Sequence, residues 1–258
     1  MKFKPLALNC ENSYPNTSRA SNFRYVQVDV LPHVSKADKE LISELLDQAS
    51  ALANQVAKNS ANDASYVRRR DRLIRNALAG LLSERAWRLA VNKLTNRETL
   101  SSTPFVRSYD QIDLVSDEGK TIEVRSSFPR GGLAFALCHP EHEFDVIGPY
   151  TNDYKTHEVA KDIYVRTLFP FDESELLNKL EGDGVEMYLT GGATKEMFEN
   201  PEKFALKSMT AADDISLVGE GTPSRYKVIP FSKALDTFEV AELLGYKHTE
   251  AWSYFDAS

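Results

Sequence analysis

Two short runs near the middle of the chain alternate apolar and polar residues: Ile112-Asp113-Leu114-Val115 and Thr121-Ile122-Glu123-Val124-Arg125. A period of two is the mark of a strand with one face buried. The intervening Asp117-Glu118-Gly119 suits a three-residue hairpin loop, a type I turn closed by a glycine in the left-handed region. Counting outward sets the register. Ser116 faces Lys120, Leu114 meets Ile122, Ile112 meets Val124, and Asp113 lies opposite Glu123. One face of this hairpin is wholly apolar and suited to a core.

Helical spacing takes over upstream. Leu41, Ile42, Leu45, Leu46, Ala49, Leu52, Ala53 and Val56 predict a helix of about 22 residues, opened by Ser35 and Asp38 in the positions of a capping box. Ile74, Ala77, Leu78, Leu81, Leu82, Ala86, Leu89 and Ala90 predict a second, from Tyr66 to near Leu94. Residues 1–34 read as irregular apart from a strand at Phe23–Val30.

Past the hairpin, Leu133–Cys138 reads as a short buried strand or helix start. Asp145–Gly148 and Asp162–Phe169 read as strands extending the hairpin's sheet. A helix over Asp172–Leu180, a strand at Val185–Leu189, a Gly191-Gly192 turn and a helix over Thr194–Leu206 come next. A strand at Ser224–Pro230 and a helix over Ala234–Leu244 close the chain. The expected class is α/β, with a mixed central sheet flanked by helices. Residues 1–64 form an N-terminal irregular segment and helix, 65–170 the core, and 171–258 an acidic α/β part of the same domain.

With 258 residues, one large domain or two small ones are possible, each with a real core. Hydrophobic and charged fractions of 42% and 27% are those of an ordinary globular protein. No apolar run approaches the roughly 18 residues that span a membrane, and the N-terminus lacks a signal-peptide core. Cys10 and Cys138 make no disulfide framework, which favours a reducing cytoplasm. The net charge of −7 argues against a protein that coats nucleic acid nonspecifically. Local charge can still contact phosphate.

The chemistry concentrates at the hairpin. Directly opposed side chains of an antiparallel pair have Cβ atoms roughly 5 Å apart, and like charges so placed repel. Asp113 and Glu123 are therefore either turned into water or joined by a cation, and hard ions such as Mg²⁺ take carboxylates and phosphate together. Glu84 sits on the edge of its helix's apolar face, where a carboxylate needs a partner: a metal ion, or Arg88 four residues on. The start of that helix carries Arg68, Arg69, Arg70, Arg72 and Arg75, with Arg85 and Arg88 further on. Cations there oppose the helix dipole, so a phosphate backbone or this chain's own acids are the natural partners. Cys138-His139-Pro140-Glu141-His142 falls short of a zinc signature.

Asp113, nine intervening residues and then Glu123-Val124-Arg125 resemble the PD-(D/E)xK motif of restriction-endonuclease-like nucleases. The departure is Arg125, where that family usually has lysine. The resemblance implies a restriction-endonuclease-like core and a Mg²⁺-dependent endodeoxyribonuclease, with Mn²⁺ as a substitute ion. Asp113 and Glu123 would be metal ligands and catalytic, joined by Glu84 from the preceding helix and by the Val124 carbonyl. Arg125 would take the lysine's place, unless Lys120, Lys155 or Lys161 does. Arg68, Arg69, Arg70 and Arg72 would contact DNA. The implied protein is a cytoplasmic, sequence-specific type II-like restriction enzyme, homodimeric on double-stranded DNA and without membrane contact. The alternatives are a repair or recombination nuclease of the same fold, or a noncatalytic DNA-binding or regulatory protein with a degenerate site.

Overall fold

The structure is a computed structural model of the chain, described here at residues 1–13, 22–31, 36–55, 70–104, 113–129, 131–139, 145–150, 159–208 and 225–247. It is an α/β fold built on a mixed seven-stranded sheet flanked by helices. In chain order the strands are β1 (Lys2–Asn9), β2 (Asn22–Val30), β3 (Leu100–Ser102), β4 (Leu114–Ser116), β5 (Thr121–Ser127), β6 (Asp145–Tyr150), β7 (Ile163–Leu168), β8 (Val185–Thr194), β9 (Ala205–Ser208) and β10 (Arg225–Pro230). The large sheet runs β1-β2-β8-β7-β5-β4-β3, and its β5–β7 pair is parallel while its other pairs are antiparallel. A second sheet, β6-β10-β9, is wholly antiparallel.

Helices α1 (Cys10–Ser13), α2 (Lys36–Gln55), α3 (Arg70–Thr95), α4 (Gly132–Cys138), α5 (Leu176–Glu181), α6 (Lys195–Glu199) and α7 (Thr237–Leu243) complete the described residues. The apolar stripe of α3, including Leu78, Leu82, Ala86 and Trp87, packs on Leu114, Ile122 and Val124 of the hairpin and on Val165 and Leu189. Residues of α2, α5 and α7 complete that core. The opposite face of the sheet carries a second core, where Phe23, Tyr164 and Leu168 meet α4, α6 and the small sheet.

The central hairpin forms as the alternation predicts. Leu114 pairs with Ile122. Ser116 N–H donates to the Lys120 carbonyl at 2.9 Å, and Gly119, at φ +83°, closes the turn with a 2.8 Å bond to the Ser116 carbonyl.

Four expectations differ from the structure, and one left with two options is settled. Residues 2–9, expected to be irregular, pair along β2 as an edge strand. Its burial is only partial, which weakens the alternation, and Pro5 is tolerated because an edge leaves one side of the ladder open. β6 joins the small sheet rather than the hairpin's, since partner choice is tertiary and not local. Leu133–Cys138 settles as the helix of the two options. The helix expected over 194–206 stops at Glu199, because Asn200 precedes Pro201 and is held extended (φ −88°, ψ 111°). Gly191-Gly192 is no turn but the middle of β8.

Cys10 and Cys138, expected to be separate, are joined in a disulfide across 128 residues of sequence, tying α1 to α4. Such bonds belong to oxidising compartments or to hyperthermophile cells, so the cysteines give no argument for a reducing cytoplasm. Closing so long a loop restricts the unfolded chain strongly. Reduction, or Cys10→Ser with Cys138→Ser, is expected to cost on the order of 2–4 kcal/mol in urea unfolding. A denaturation midpoint unmoved by reductant would show the bond is not formed in solution. Among the described residues no helix is long and apolar enough to cross a membrane.

Candidate functional site

The site grows from the central hairpin. Leu114 and Val115 of β4 pair with Ile122 and Thr121 of β5, and β5 pairs with β7 from Ile122 to Ser127. Continuing the register would give the Val124 N–H to residue 112, which lies outside the described residues. Instead that N–H donates to Asp113 Oδ2 at 2.7 Å. The side chain of Asp113 is thereby turned onto β5 and fixed there.

Its surroundings are acidic. Burial and then the charge of Glu123 push the Asp113 carboxyl up to about 8; Glu84 adds in the same direction, against the Val124 N–H and Arg125, which favour the anion. Glu84, on α3, is itself raised by burial, while a hydrogen bond from Ser102 and the nearby charge of Arg88 act against the rise. Of its two expected partners, a metal ion and Arg88, the charge of Arg88 bears on it. No ion pair with Arg88 closes among the described residues. Glu123 does have a counter-ion: Arg125, two residues on and on the same face of β5, places Nη2 3.2 Å from its Oε1.

Asp113, Glu123, Glu84 and Arg125, spread over 42 positions, are thus brought into one electrostatic neighbourhood. Beside it, α2, α3 and β3 enclose a pocket of about 670 Å³ whose lining includes Glu84, Asp113, Arg85, Arg88 and Ser102. The Nε atoms of Arg85 and Arg88 are buried there without a hydrogen-bond partner. Sequence reasoning gave Ser102 no role, because a three-residue strand shows no periodicity. Arg85 stands in the sequence only as charge, and Arg88 as charge and as the alternative partner of Glu84.

The basic start of α3 is more dispersed. Arg68 and Arg69 lie outside the described residues, and Arg70 is exposed. Arg72 and Arg75 both reach Glu173, at 3.5 and 3.3 Å, and Arg75 also reaches Asp71 at 3.2 Å. Twelve helical residues separate Arg72 from Glu84, roughly 18 Å along the axis. Lys120 Nζ donates to the Leu243 carbonyl and Lys161 Nζ to that of Val159, so neither is directed at the acids; Lys155 lies outside the described residues. Cys138 is consumed by its disulfide, which removes the thiolate from the Cys-His cluster.

Among the described residues no three His, Cys, Asp or Glu side chains stand close enough together to hold a metal ion as they are arranged. The donor chemistry nevertheless fits a hard cation: three carboxylates, with Asp113 held well above the usual aspartate range by burial and by the charge of Glu123, and an arginine taking up part of the excess.

The chain is similar to an uncharacterized protein of Methanocaldococcus jannaschii, 28% identical over 90% of this chain and 91% of that protein. No family model matches the sequence, and no solved structure matches the fold.

Proposed function

We propose that the chain is a metal-dependent endodeoxyribonuclease whose reactive centre is formed by Asp113, Glu123 and Glu84, with Arg125 beside them. The observation that carries this reading is the Asp113 carboxyl, fixed by the Val124 N–H of β5 and raised to about 8 by burial and two neighbouring carboxylates. Carboxylates crowded beside a strand are costly to the fold and useful for holding a cation. The assignment to a restriction-endonuclease-like core, and to a sequence-specific enzyme dimeric on duplex DNA, rests on the resemblance of the Asp113…Glu123-Val124-Arg125 motif.

In this reading Asp113 and Glu123 hold Mg²⁺ or Mn²⁺, with Glu84 as the third carboxylate. The ion supplies Lewis-acid polarisation of the phosphate and neutralises developing charge. The chain's own groups do the rest. Val124 N–H orients Asp113. Ser102 holds Glu84. Arg125 remains cationic at any working pH, so it serves as a charge-stabilising donor to phosphate oxygens and not as a base.

One observation favours a second reading. Glu123 is already matched by Arg125 at 3.2 Å, and that arrangement also suits a closed structural network in a protein that binds DNA without cutting it. Supercoiled plasmid incubated with the protein in Mg²⁺, Mn²⁺ or chelator separates the two. Nicking or linearisation that needs the ion and disappears in folded Asp113→Ala and Glu123→Ala supports the nuclease. Absence of cleavage together with absence of any ion-induced thermal shift defeats it.

Arg125 gives an independent prediction. Arg125→Lys restores the residue usual in the resembled motif and is expected to retain or raise cleavage, whereas Arg125→Ala is expected to lower it on the order of 10²-fold. Equal rates in all three would remove Arg125 from the centre.

A further inference from the structure

β5 and β7 run parallel, and their register sets Arg125 beside Arg166. Arg166 is only 3% exposed. Of its five possible donors, Nη2 is used on the Ser127 hydroxyl at 2.6 Å, and its buried Nε has no hydrogen-bond partner. Among the described residues no carboxylate forms an ion pair with it. Asp145 acts on it from a distance, but Asp145 Oδ2 is engaged by Lys207 Nζ, and its buried Oδ1 is unpartnered. Burial and the neighbouring Arg125 charge hold the Arg166 guanidinium below its ordinary range, at about 9. A guanidinium kept dry beside another, with no carboxylate paired to it among the described residues, is destabilising by itself.

The backbone is shaped around this residue. Val165 pairs with Gly192 and Thr167 with Leu189, so Thr190 and Gly191 of β8 together oppose Arg166 alone. Gly191 takes φ +85°, as a bulge requires, and the Thr190 hydroxyl donates to the Arg166 carbonyl at 3.2 Å. Bulges bend a strand locally and re-aim the side chain at that point. The burial of a charge with no ion pair among the described residues thus coincides with a special backbone geometry opposite the same residue.

We infer that Arg166 and Arg125 form a two-guanidinium anion site for a phosphate group, with the Ser127 hydroxyl beside it. A phosphate between the forks accepts hydrogen bonds from both, beside the Glu123 contact that Arg125 keeps, and offsets the repulsion between the two guanidiniums. Entry is from the side of Glu123 and Arg125, whose side chains are 18% and 16% exposed. The inference deepens the nuclease reading by assigning where substrate phosphate is held, and it rests on that reading for the phosphate being part of DNA.

The test is thermal unfolding of the full chain in chelator, with inorganic phosphate against chloride at matched ionic strength. Wild type is expected to melt several degrees higher in millimolar phosphate. Arg166→Met is expected to lose that shift while melting at or above the wild-type temperature in chloride, since it removes a buried unmatched charge. Arg166→Lys keeps the charge but not the fork, and is expected to need about tenfold more phosphate for the same shift. No phosphate shift in wild type, or the full shift in both variants, overturns the inference. So does an Arg166→Met protein that melts lower in chloride and responds normally to phosphate, because that is a structural role. Should Arg166→Met fail to fold, the Arg166→Lys titration decides. Plasmid cleavage is scored separately: phosphate stabilisation without cleavage removes the nuclease and leaves the anion site, and cleavage without phosphate stabilisation does the reverse.

Discussion

Asp113→Asn is expected to stabilise the folded protein at pH 8 and at the same time to abolish ion-dependent cleavage. Asparagine keeps an oxygen to accept the Val124 N–H, so the backbone anchor survives while the charge goes. In the folded state the Asp113 carboxyl titrates at about 8, far above the value for an exposed aspartate. Between roughly pH 4 and 8 the folded protein therefore holds a proton that the unfolded chain has released, and wild-type stability falls as pH rises through that window. The slope approaches at most about 1.4 kcal/mol per pH unit. The Asn variant lacks this term, so its stability is expected to be flatter with pH and to exceed wild type above neutrality. Mg²⁺ or Mn²⁺ should reverse the order by favouring the Asp113 anion in wild type alone. On the proposed nuclease reading, cleavage needs that anion and is expected to drop on the order of 10³-fold or more. Urea unfolding of both proteins at pH 5, 6.5 and 8, with and without ion, reads every part of this. Parallel stability curves for the two proteins would mean that Asp113 is neither buried nor crowded as the structure has it.

The sequence made this centre legible to the extent that it was local. Alternation around Gly119 was enough for the hairpin, for the Leu114–Ile122 register and for placing Asp113 near Glu123, because all of these lie within about a dozen residues and depend on turn geometry. Glu84 could be singled out from its place on a helix face, but its approach to Asp113 depends on how α3 packs over β5. What period and propensity could not supply is long-range. The Cys10–Cys138 bond, the membership of β6 in a separate sheet and the pairing of Arg166 with Arg125 are set by tertiary contacts. Arg166 did leave a trace, a lone arginine within the otherwise apolar or neutral Ile163-Tyr164-Val165-Arg166-Thr167-Leu168-Phe169 run. A charge inside a strand buried on both faces asks for a partner, and that question was open in the sequence itself.

Gly191-Gly192 shows the same limit from the side of the backbone, and its replacement carries the second large effect. As a dipeptide it reads as a turn; in the structure tertiary approach makes it part of a strand. A Cβ on Gly191 would lie 2.0 Å from the Leu235 carbonyl oxygen and 2.8 Å from the Asp236 carbonyl carbon, at a φ of +85° that disfavours any side chain. A Cβ on Gly192 would lie 2.2 Å from the Tyr164 carbonyl oxygen. These are backbone atoms and cannot swing aside. Leu235 pairs with Gly192 in both directions at 2.9 Å, and Asp236 next to it caps α7 and binds Arg24. Gly191→Ala or Gly192→Ala must therefore move the α7 entry or separate β8 from β7, and each is expected to cost at least about 3 kcal/mol. Gly119→Ala is the control: its φ is also positive, at +83°, but nothing lies within 4 Å of the added carbon. Its cost should be only the conformational one, on the order of 1 kcal/mol. Urea unfolding that ranks Gly119→Ala as costly as Gly191→Ala would refute the close approach at β8. Because Thr190 and Gly191 are the two residues facing Arg166, a Gly191→Ala protein that still folds should also lose its phosphate response, which links backbone geometry to the anion site in one variant.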